Sequence, residues 1–115
     1  MRTMMRVCIP VEAGNAAIKG GSLAKTVQQF MDTAKPEAAY FVADGGERTA
    51  YFFFDLKQPS DIPSIAEPFF ANLHAAIEVT PAMNIEDVGP PASGGERRLW
   101  REPPASYGAL VSRRC

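Results

Sequence analysis

The chain has 115 residues, of which 46% are hydrophobic, and it carries a net charge of -1. This length predicts one domain with a modest core and leaves no room for a second domain. Residues 1–89 contain 7 basic and 11 acidic side chains, whereas residues 90–115 contain 5 Arg and 2 Glu. The acidic body argues against a nucleic-acid partner, because a nucleic-acid groove needs a basic face.

Apolar runs of only a few residues predict neither a signal peptide nor a membrane partner. Of the two cysteines, Cys8 falls in a strand-like run and Cys115 is the last residue, and their spacing matches no zinc motif. We expect no disulfide between a buried strand and a chain end, so a reducing cytoplasmic location fits best. The sequence predicts no metal and no cofactor.

The first predicted elements are a strand and a helix. Val7 and Ile9 alternate with Cys8 in a strand that Pro10 ends. A helical turn over residues 15–19 precedes a helix that Ser22 caps and Pro36 terminates. The apolar stripe of this helix consists of Leu23, Val27, Phe30, Met31 and Ala34.

A β-hairpin follows over residues 37–56. Residues 38–43 and 48–55 are rich in Tyr, Phe, Val and Thr, and residues 44–47 supply the glycines of a tight turn. Strand alternation leaves apolar side chains on both faces of this hairpin. Both faces then need a cover, and we expect the second cover to be another copy of the chain, in a homodimer.

The last elements are a second helix, a fourth strand and a terminal helical turn. Asp61 is the predicted N-cap of the helix, and Pro68 predicts a kink or a break near Glu67. A strand over residues 75–80 and a helical turn over residues 84–88 follow.

This order predicts an α+β fold of the ferredoxin-like βαββαβ type, an antiparallel four-stranded sheet with two helices on one face. The folded domain is expected over residues 1–89. Residues 90–115, rich in Pro, Gly and Arg, are expected to form a disordered tail.

In its segments EAAYF, RTAYFFFDL, IAEPFF and PAMNIEDV, together with this element order, the chain resembles the dimeric α/β-barrel superfamily. That group includes muconolactone-isomerase-like and antibiotic-biosynthesis-monooxygenase-like proteins. The resemblance covers roughly residues 6–88 and implies a homodimeric α/β barrel with a ligand pocket between sheet and helices or inside the barrel. Its members include isomerases, cofactor-free oxygenases, haem-degrading enzymes and ligand sensors, and the chain matches no catalytic motif of any one branch.

His74 and Glu67 are the candidate catalytic residues. His74 is the single histidine and could act as a general base or a haem ligand, or simply cap the C-terminus of a helix. Glu67 precedes Pro68, where a broken helix would leave a notch, although it could equally face solvent.

Tyr40 and Tyr51 are the candidate substrate-binding residues. They fall on paired strands, and their phenols could hydrogen-bond a ligand carbonyl or hydroxyl. The alternative is that both are core or interface aromatics. Asp55 and Glu78 are strand acids that could accept a proton if buried, or face water at an edge.

Two classes of function remain open. The first is a cofactor-independent oxygenase or isomerase acting on an apolar or aromatic small molecule. The second is a non-catalytic dimeric ligand-binding or stress-related accessory protein. A pocket that encloses His74 or a buried acid would favour the enzyme, whereas a pocket lined by apolar side chains would favour binding.

Overall fold

The structure, a computed structural model, describes residues 1–89 and residue 115. The described residues fall into two units, residues 1–82 with residue 115, and residues 83–89. The predicted disordered tail therefore lies, apart from Cys115, outside the described residues. Within the described part of the chain, no helix is both long and apolar enough to cross a membrane.

The first unit is an α+β domain compatible with the predicted ferredoxin-like fold. Its elements in chain order are β1 (Arg2–Ile9), α1 (Val11–Gly20), α2 (Ser22–Ala34), β2 (Ala38–Asp44), β3 (Glu47–Asp55), a 3-10 turn (Pro59–Asp61), α3 (Ile62–Leu73) and β4 (Ala76–Pro81). The four strands form one antiparallel sheet in the order β2-β3-β1-β4. This order is consistent with the βαββαβ pattern of the ferredoxin-like fold, with α1 and α2 together in the first crossover and α3 in the second.

The predicted hairpin is confirmed. β2 and β3 pair in register from Ala38 opposite Phe53 to Asp44 opposite Glu47. Gly45 and Gly46 form the connecting turn with φ of 62° and 83°. Because both residues need positive φ, glycine at both positions sets a two-residue hairpin whose twist matches the sheet.

The core lies between the sheet and the helices. Phe52 and Phe54 of β3 point to the helices, as strand alternation predicts, and both are buried. The ring of Phe30 in α2 lies 4.5 Å from that of Phe52 and 5.6 Å from that of Phe69 in α3, centroid to centroid. These three rings join the sheet to both helices.

Several element boundaries differ from the prediction, including the start of α2, where the N-cap is Gly21 and not Ser22. β1 begins at Arg2, well before the alternation at Val7, because Thr3 and Met5 continue its helix-facing side and both are buried. The predicted helical turn is a complete helix, α1. The predicted break at Pro68 is wrong, since α3 continues through this residue to Leu73. Proline removes a single intrahelical hydrogen bond, and the buried side chains of Ala66 and Phe69 hold the helix on the sheet.

The predicted absence of a disulfide is also wrong in this structure, because Cys8 and Cys115 are bonded. Cys8 points to the sheet face opposite the helices, and Cys115 reaches it there. The backbone N–H of Cys115 also donates to Glu47 Oε1 at 3.2 Å. The cytoplasmic location rested on free thiols, so it stays a prediction without this support.

The described part of the second unit holds one short helix, α4 (Ile85–Val88). Asn84 caps it, with Asn84 Oδ1 accepting the Asp87 N–H at 2.7 Å and Asp87 Oδ2 accepting the Asn84 N–H at 3.0 Å. The predicted terminal helical turn is therefore confirmed with a reciprocal capping box.

Candidate functional site

An apolar groove of about 500 Å³ runs between α2 and the β2 edge of the sheet; we call it the α2–β2 groove. One wall is formed by Leu23, Ala24 and Val27 of α2, and the other by Phe41 and Ala43 of β2. Phe41 points to the same side of the sheet as the buried Phe52, yet 61% of it is exposed. Side chains of the edge strand that face the helices thus stay open to a ligand.

Arg48 supplies the one charged side chain of this lining. Its Nη2 donates to Asn15 Oδ1 in α1 at 3.1 Å. Gly14 makes room for the guanidinium, because a Cβ built on Gly14 would lie 2.7 Å from Arg48 Nη1. A guanidinium has five N–H donors, and within residues 1–89 and 115 this is the only hydrogen bond found for it. The remaining donors can bind an anionic group.

A second cavity, of about 460 Å³, lies between α2 and α3. Its floor contains Phe30, Phe54 and Phe69, but its rim carries the charged side chains of Asp55, Lys57 and Asp61. Asp55 is already paired, since Oδ2 accepts from Lys57 Nζ at 2.6 Å and Oδ1 accepts from the amino terminus. The hydrogen bond from Lys57, with that from the amino terminus, lowers the pKa of Asp55 to about 2. This rim is less suited to an apolar ligand than the α2–β2 groove is.

The sheet face opposite the helices, here the open face, carries a polar network across its middle. Tyr51 Oη donates to Asp44 Oδ2 at 2.8 Å and accepts from Arg6 Nε at 3.2 Å. Arg6 Nη2 also donates to Asp44 Oδ2 at 3.1 Å, and Arg6 Nη1 lies 3.8 Å from Glu78 Oε1. The open face is therefore mixed in polarity rather than apolar, which corrects the prediction that both faces of the hairpin are apolar.

The polar network changes the pKa of the Asp44 carboxylate. The hydrogen bond from Tyr51, followed by that from Arg6, lowers the pKa of Asp44 below its ordinary value. We expect Tyr51→Phe to raise the pKa of Asp44, as followed by NMR of the side-chain carboxyl carbon. Asp44 stabilises the fold fully above its unfolded-state pKa, and this stabilisation is lost as the pH falls through its lower folded-state pKa. Because Tyr51→Phe removes part of this stabilisation, it should lower the free energy of unfolding at neutral pH.

Tyr40→Phe is the matched control for this titration, because Tyr40 lies opposite Tyr51 in the register and makes no described hydrogen bond to Asp44. It should leave the Asp44 pKa unchanged. An equal change in both variants would show that the Tyr51 hydroxyl does not set the pKa of Asp44.

The structure separates the predicted site residues into two pairs. Tyr40 and Tyr51 lie opposite one another on the open face, with Tyr40 60% exposed. Glu67 and His74 are exposed on α3, on the helix side of the sheet. His74 has φ of 52° and ends α3 as its C-cap. None of the four lines either of the two cavities described above, and their catalytic and binding roles stay predictions.

Sequence reasoning missed Arg48 as a site residue. The signal was present, because Arg48 shares the strand parity of Ala50, Phe52 and Phe54 and so had to face the helices. A charged side chain near the end of a strand, on the side that faces the core, is uncommon and indicates a polar group beside apolar surface. Comparisons of the sequence with protein-family models and with curated proteins find no match.

Proposed function

We propose that this chain is a homodimeric ligand-binding protein that holds an apolar or aromatic carboxylic acid in the α2–β2 groove. The observation that carries the proposal is a single guanidinium, Arg48, in a lining that is otherwise mostly apolar. Ligand sites of this kind combine an apolar wall with a few polar groups that fix orientation. The size of the groove, about 500 Å³, suits a small organic molecule.

The apolar part of the ligand supplies the affinity in this proposal. Leu23, Val27 and Phe41 present partly exposed apolar surface, and covering such surface gives about 25 cal/mol per Å² removed from water. The flat ring of Phe41 favours an aromatic or extended aliphatic group.

The carboxylate supplies the selectivity. Arg48 can bind a carboxylate through two parallel N–H donors, while Asn15 accepts a hydrogen bond from its Nη2. A hydrogen bond to a charged group contributes about 1.5–3 kcal/mol, which corresponds to about 10- to 100-fold in Kd. An alcohol of the same shape makes a weaker contact and should bind correspondingly less tightly.

The dimer is the second part of the proposal, in the arrangement of the dimeric α/β-barrel superfamily. Its support is the exposed apolar surface of the open face, where Tyr40 and Val42 are 60% and 46% exposed. Tyr40 packs edge-on against Phe53 at 6.5 Å, which extends this surface toward the sheet centre. A second open face would cover these rings and the polar network together.

A cofactor-independent isomerase or oxygenase is the other candidate, and the Tyr51–Asp44–Arg6 network supports it. A phenol that donates to a carboxylate and accepts from a guanidinium can move a proton to or from a bound molecule. The two candidates differ in outcome: the enzyme converts a molecule bound on the open face beside Tyr51, and Tyr51→Phe stops the conversion. Recovery of the ligand unchanged, as seen by mass spectrometry, favours the binding protein.

Thermal shift with matched pairs of acids and alcohols tests the binding proposal. We expect octanoate and 2-naphthoate to raise the melting temperature more than octanol and 2-naphthol, because only the acids pair with Arg48. Arg48→Gln should remove this preference and weaken acid binding about 10- to 100-fold, the range for one charged hydrogen-bonded contact.

Two further variants separate the groove from general effects of charge. Lys25→Gln removes an exposed cation of α2 outside the groove lining and should leave acid binding unchanged. Ala24→Phe fills the groove from its exposed wall without entering the core, and it should weaken acids and alcohols alike. Equal losses from Lys25→Gln and Arg48→Gln would overturn the assignment of Arg48.

A further inference from the structure

Three metal-binding side chains meet at one end of the open face. Sγ of Cys8, Sγ of Cys115 and a carboxylate oxygen of Glu47 all lie within 4.8 Å of one another. Among the described residues, this is the one group of three or more cysteine, histidine and acidic side chains that lies close enough together to hold one ion. It lies on the sheet face opposite the α2–β2 groove, so nothing in the inference depends on the proposed function.

Each member of this cluster has a fixed position. Cys8 is in the central strand β1 and is fully buried, and its partner across the ladder is Thr49. Glu47 begins β3 at the hairpin turn, on the same sheet face as Thr49. Cys115 is held by the disulfide and also by its N–H donation to Glu47 Oε1 at 3.2 Å. The hydrogen bond is a second contact between Cys115 and the sheet.

We propose that the reduced protein binds one Zn²⁺ at Cys8, Cys115 and Glu47. Two thiolates and a carboxylate are ligands that zinc accepts, and a three-residue set leaves a fourth position for water. Thiolates bound at about 2.3 Å in a tetrahedral site lie about 3.8 Å apart. The two sulfurs are bonded in the disulfide and must separate to this distance after reduction by rotation of their side chains. The Cα atoms of the two cysteines are 5.6 Å apart, and the three ligand atoms lie within 4.8 Å of one another.

Thr49 supports the site from outside the ligand set. Its Oγ1 donates to the backbone carbonyl of Glu47 at 3.1 Å and lies 3.7 Å from Cys8 Sγ. The hydroxyl has one proton, and when Cys8 is a thiolate this proton can turn from the Glu47 carbonyl to the sulfur, which holds the thiolate in orientation and favours the deprotonated form. Thr49 is itself buried, so water does not compete for this contact.

The site is available in one redox state of the cysteine pair. A thiol or phosphine reductant transfers two electrons to the disulfide, the S–S bond breaks, and two protons from water complete the two thiols. Zinc binding then releases these two thiol protons to solvent as two Zn–S bonds form. Oxidation by a disulfide reverses the sequence and expels the ion, so metal binding and the Cys8–Cys115 bond exclude one another.

Metal titration of the full chain in both redox states tests the proposal. Protein reduced with a phosphine under anaerobic conditions is titrated with Zn²⁺ against a chromophoric chelator, and with Co²⁺ to detect thiolate-to-metal charge-transfer absorption. We expect one ion per chain and cobalt–thiolate absorption for the reduced protein, and neither for the oxidised protein. Cys8→Ala and Cys115→Ser should each abolish the cobalt signal.

Glu47→Gln tests the third ligand without touching either sulfur. Removing a residue that only hydrogen-bonds a metal ligand lowers metal affinity about 10- to 100-fold. Glu47→Gln removes a ligand itself, so it should lower the affinity for Zn²⁺ by at least this much. Glu12→Gln, an exposed acid of α1, is the matched control and should leave the affinity unchanged. Equal affinity of the oxidised and reduced proteins, wild-type affinity of Cys115→Ser or of Glu47→Gln, or one ion per two chains would each overturn the proposal.

Discussion

Phe52→Ala is expected to lower the free energy of unfolding by about 3–5 kcal/mol, the range for removing a buried aromatic ring. Phe52 is fully buried in β3 and contacts rings on three other elements, Phe30 of α2, Phe69 of α3 and Phe41 of β2. Its removal leaves a cavity where the sheet meets both helices, which these helices can fill only by moving together. Urea unfolding followed by circular dichroism measures the change.

Phe70→Ala is the matched control for this prediction. Phe70 is the neighbour of Phe69 in α3 but is 45% exposed. The same truncation should therefore cost far less than at Phe52, because less apolar surface is lost and no closed cavity forms. Similar losses at the two positions would contradict the location of the core between the sheet and the helices.

Phe53→Asp is expected to convert the proposed dimer into a monomer. Phe53 lies at the centre of the open face, with Met4 and Ala38 as its partners across the two ladders. A carboxylate there would be buried without a partner in a dimer joined through this face, and such burial costs several kcal/mol. Light scattering coupled to size exclusion, at two protein concentrations, measures the mass per particle.

Phe70→Asp makes the same chemical change on the outer surface of α3 and should leave the dimer intact. The groove variants provide a second comparison, since Arg48→Gln changes the helix side of the sheet and should not alter the mass. Two results would contradict the proposed dimer through the open face. One is a wild-type chain that is monomeric at both concentrations, and the other is a Phe53→Asp variant that stays dimeric.

Local chemistry made the hairpin and the apolar stripe of α2 predictable. Two adjacent glycines between β-rich runs allow few backbone alternatives, and the period of Leu23, Val27 and Phe30 indicates one buried helix face. The alternation along β3 also placed Phe52 and Phe53 on opposite faces correctly. These features depend on residues that are close in sequence, so the sequence alone predicts them.

The groove, the polar network and the Cys8–Cys115 bond each bring together residues that are far apart in sequence. The periodic pattern of apolar residues does not predict such contacts. Arg6 and Asp44 meet only because β1 and β2 flank β3. Helix propensity alone predicts a break at Pro68, but it ignores the packing of Ala66 and Phe69 on the sheet, which keeps the helix continuous. The depth of the α2–β2 groove depends on how α2 crosses the sheet, which no local pattern sets.

The most direct measurement of the central claim is an NMR titration of the ¹⁵N-labelled chain with an aromatic carboxylate such as 2-naphthoate. Binding in the α2–β2 groove should shift the side-chain signal of Arg48 and, with saturation, the amide signals of Ala24, Val27, Ala43 and Ala50. Signals of Ser64 and Ile65, in the cavity between α2 and α3, should stay in place. Shifts confined to Ser64 and Ile65, or no saturable shift in the groove, would contradict a carboxylate site built around Arg48.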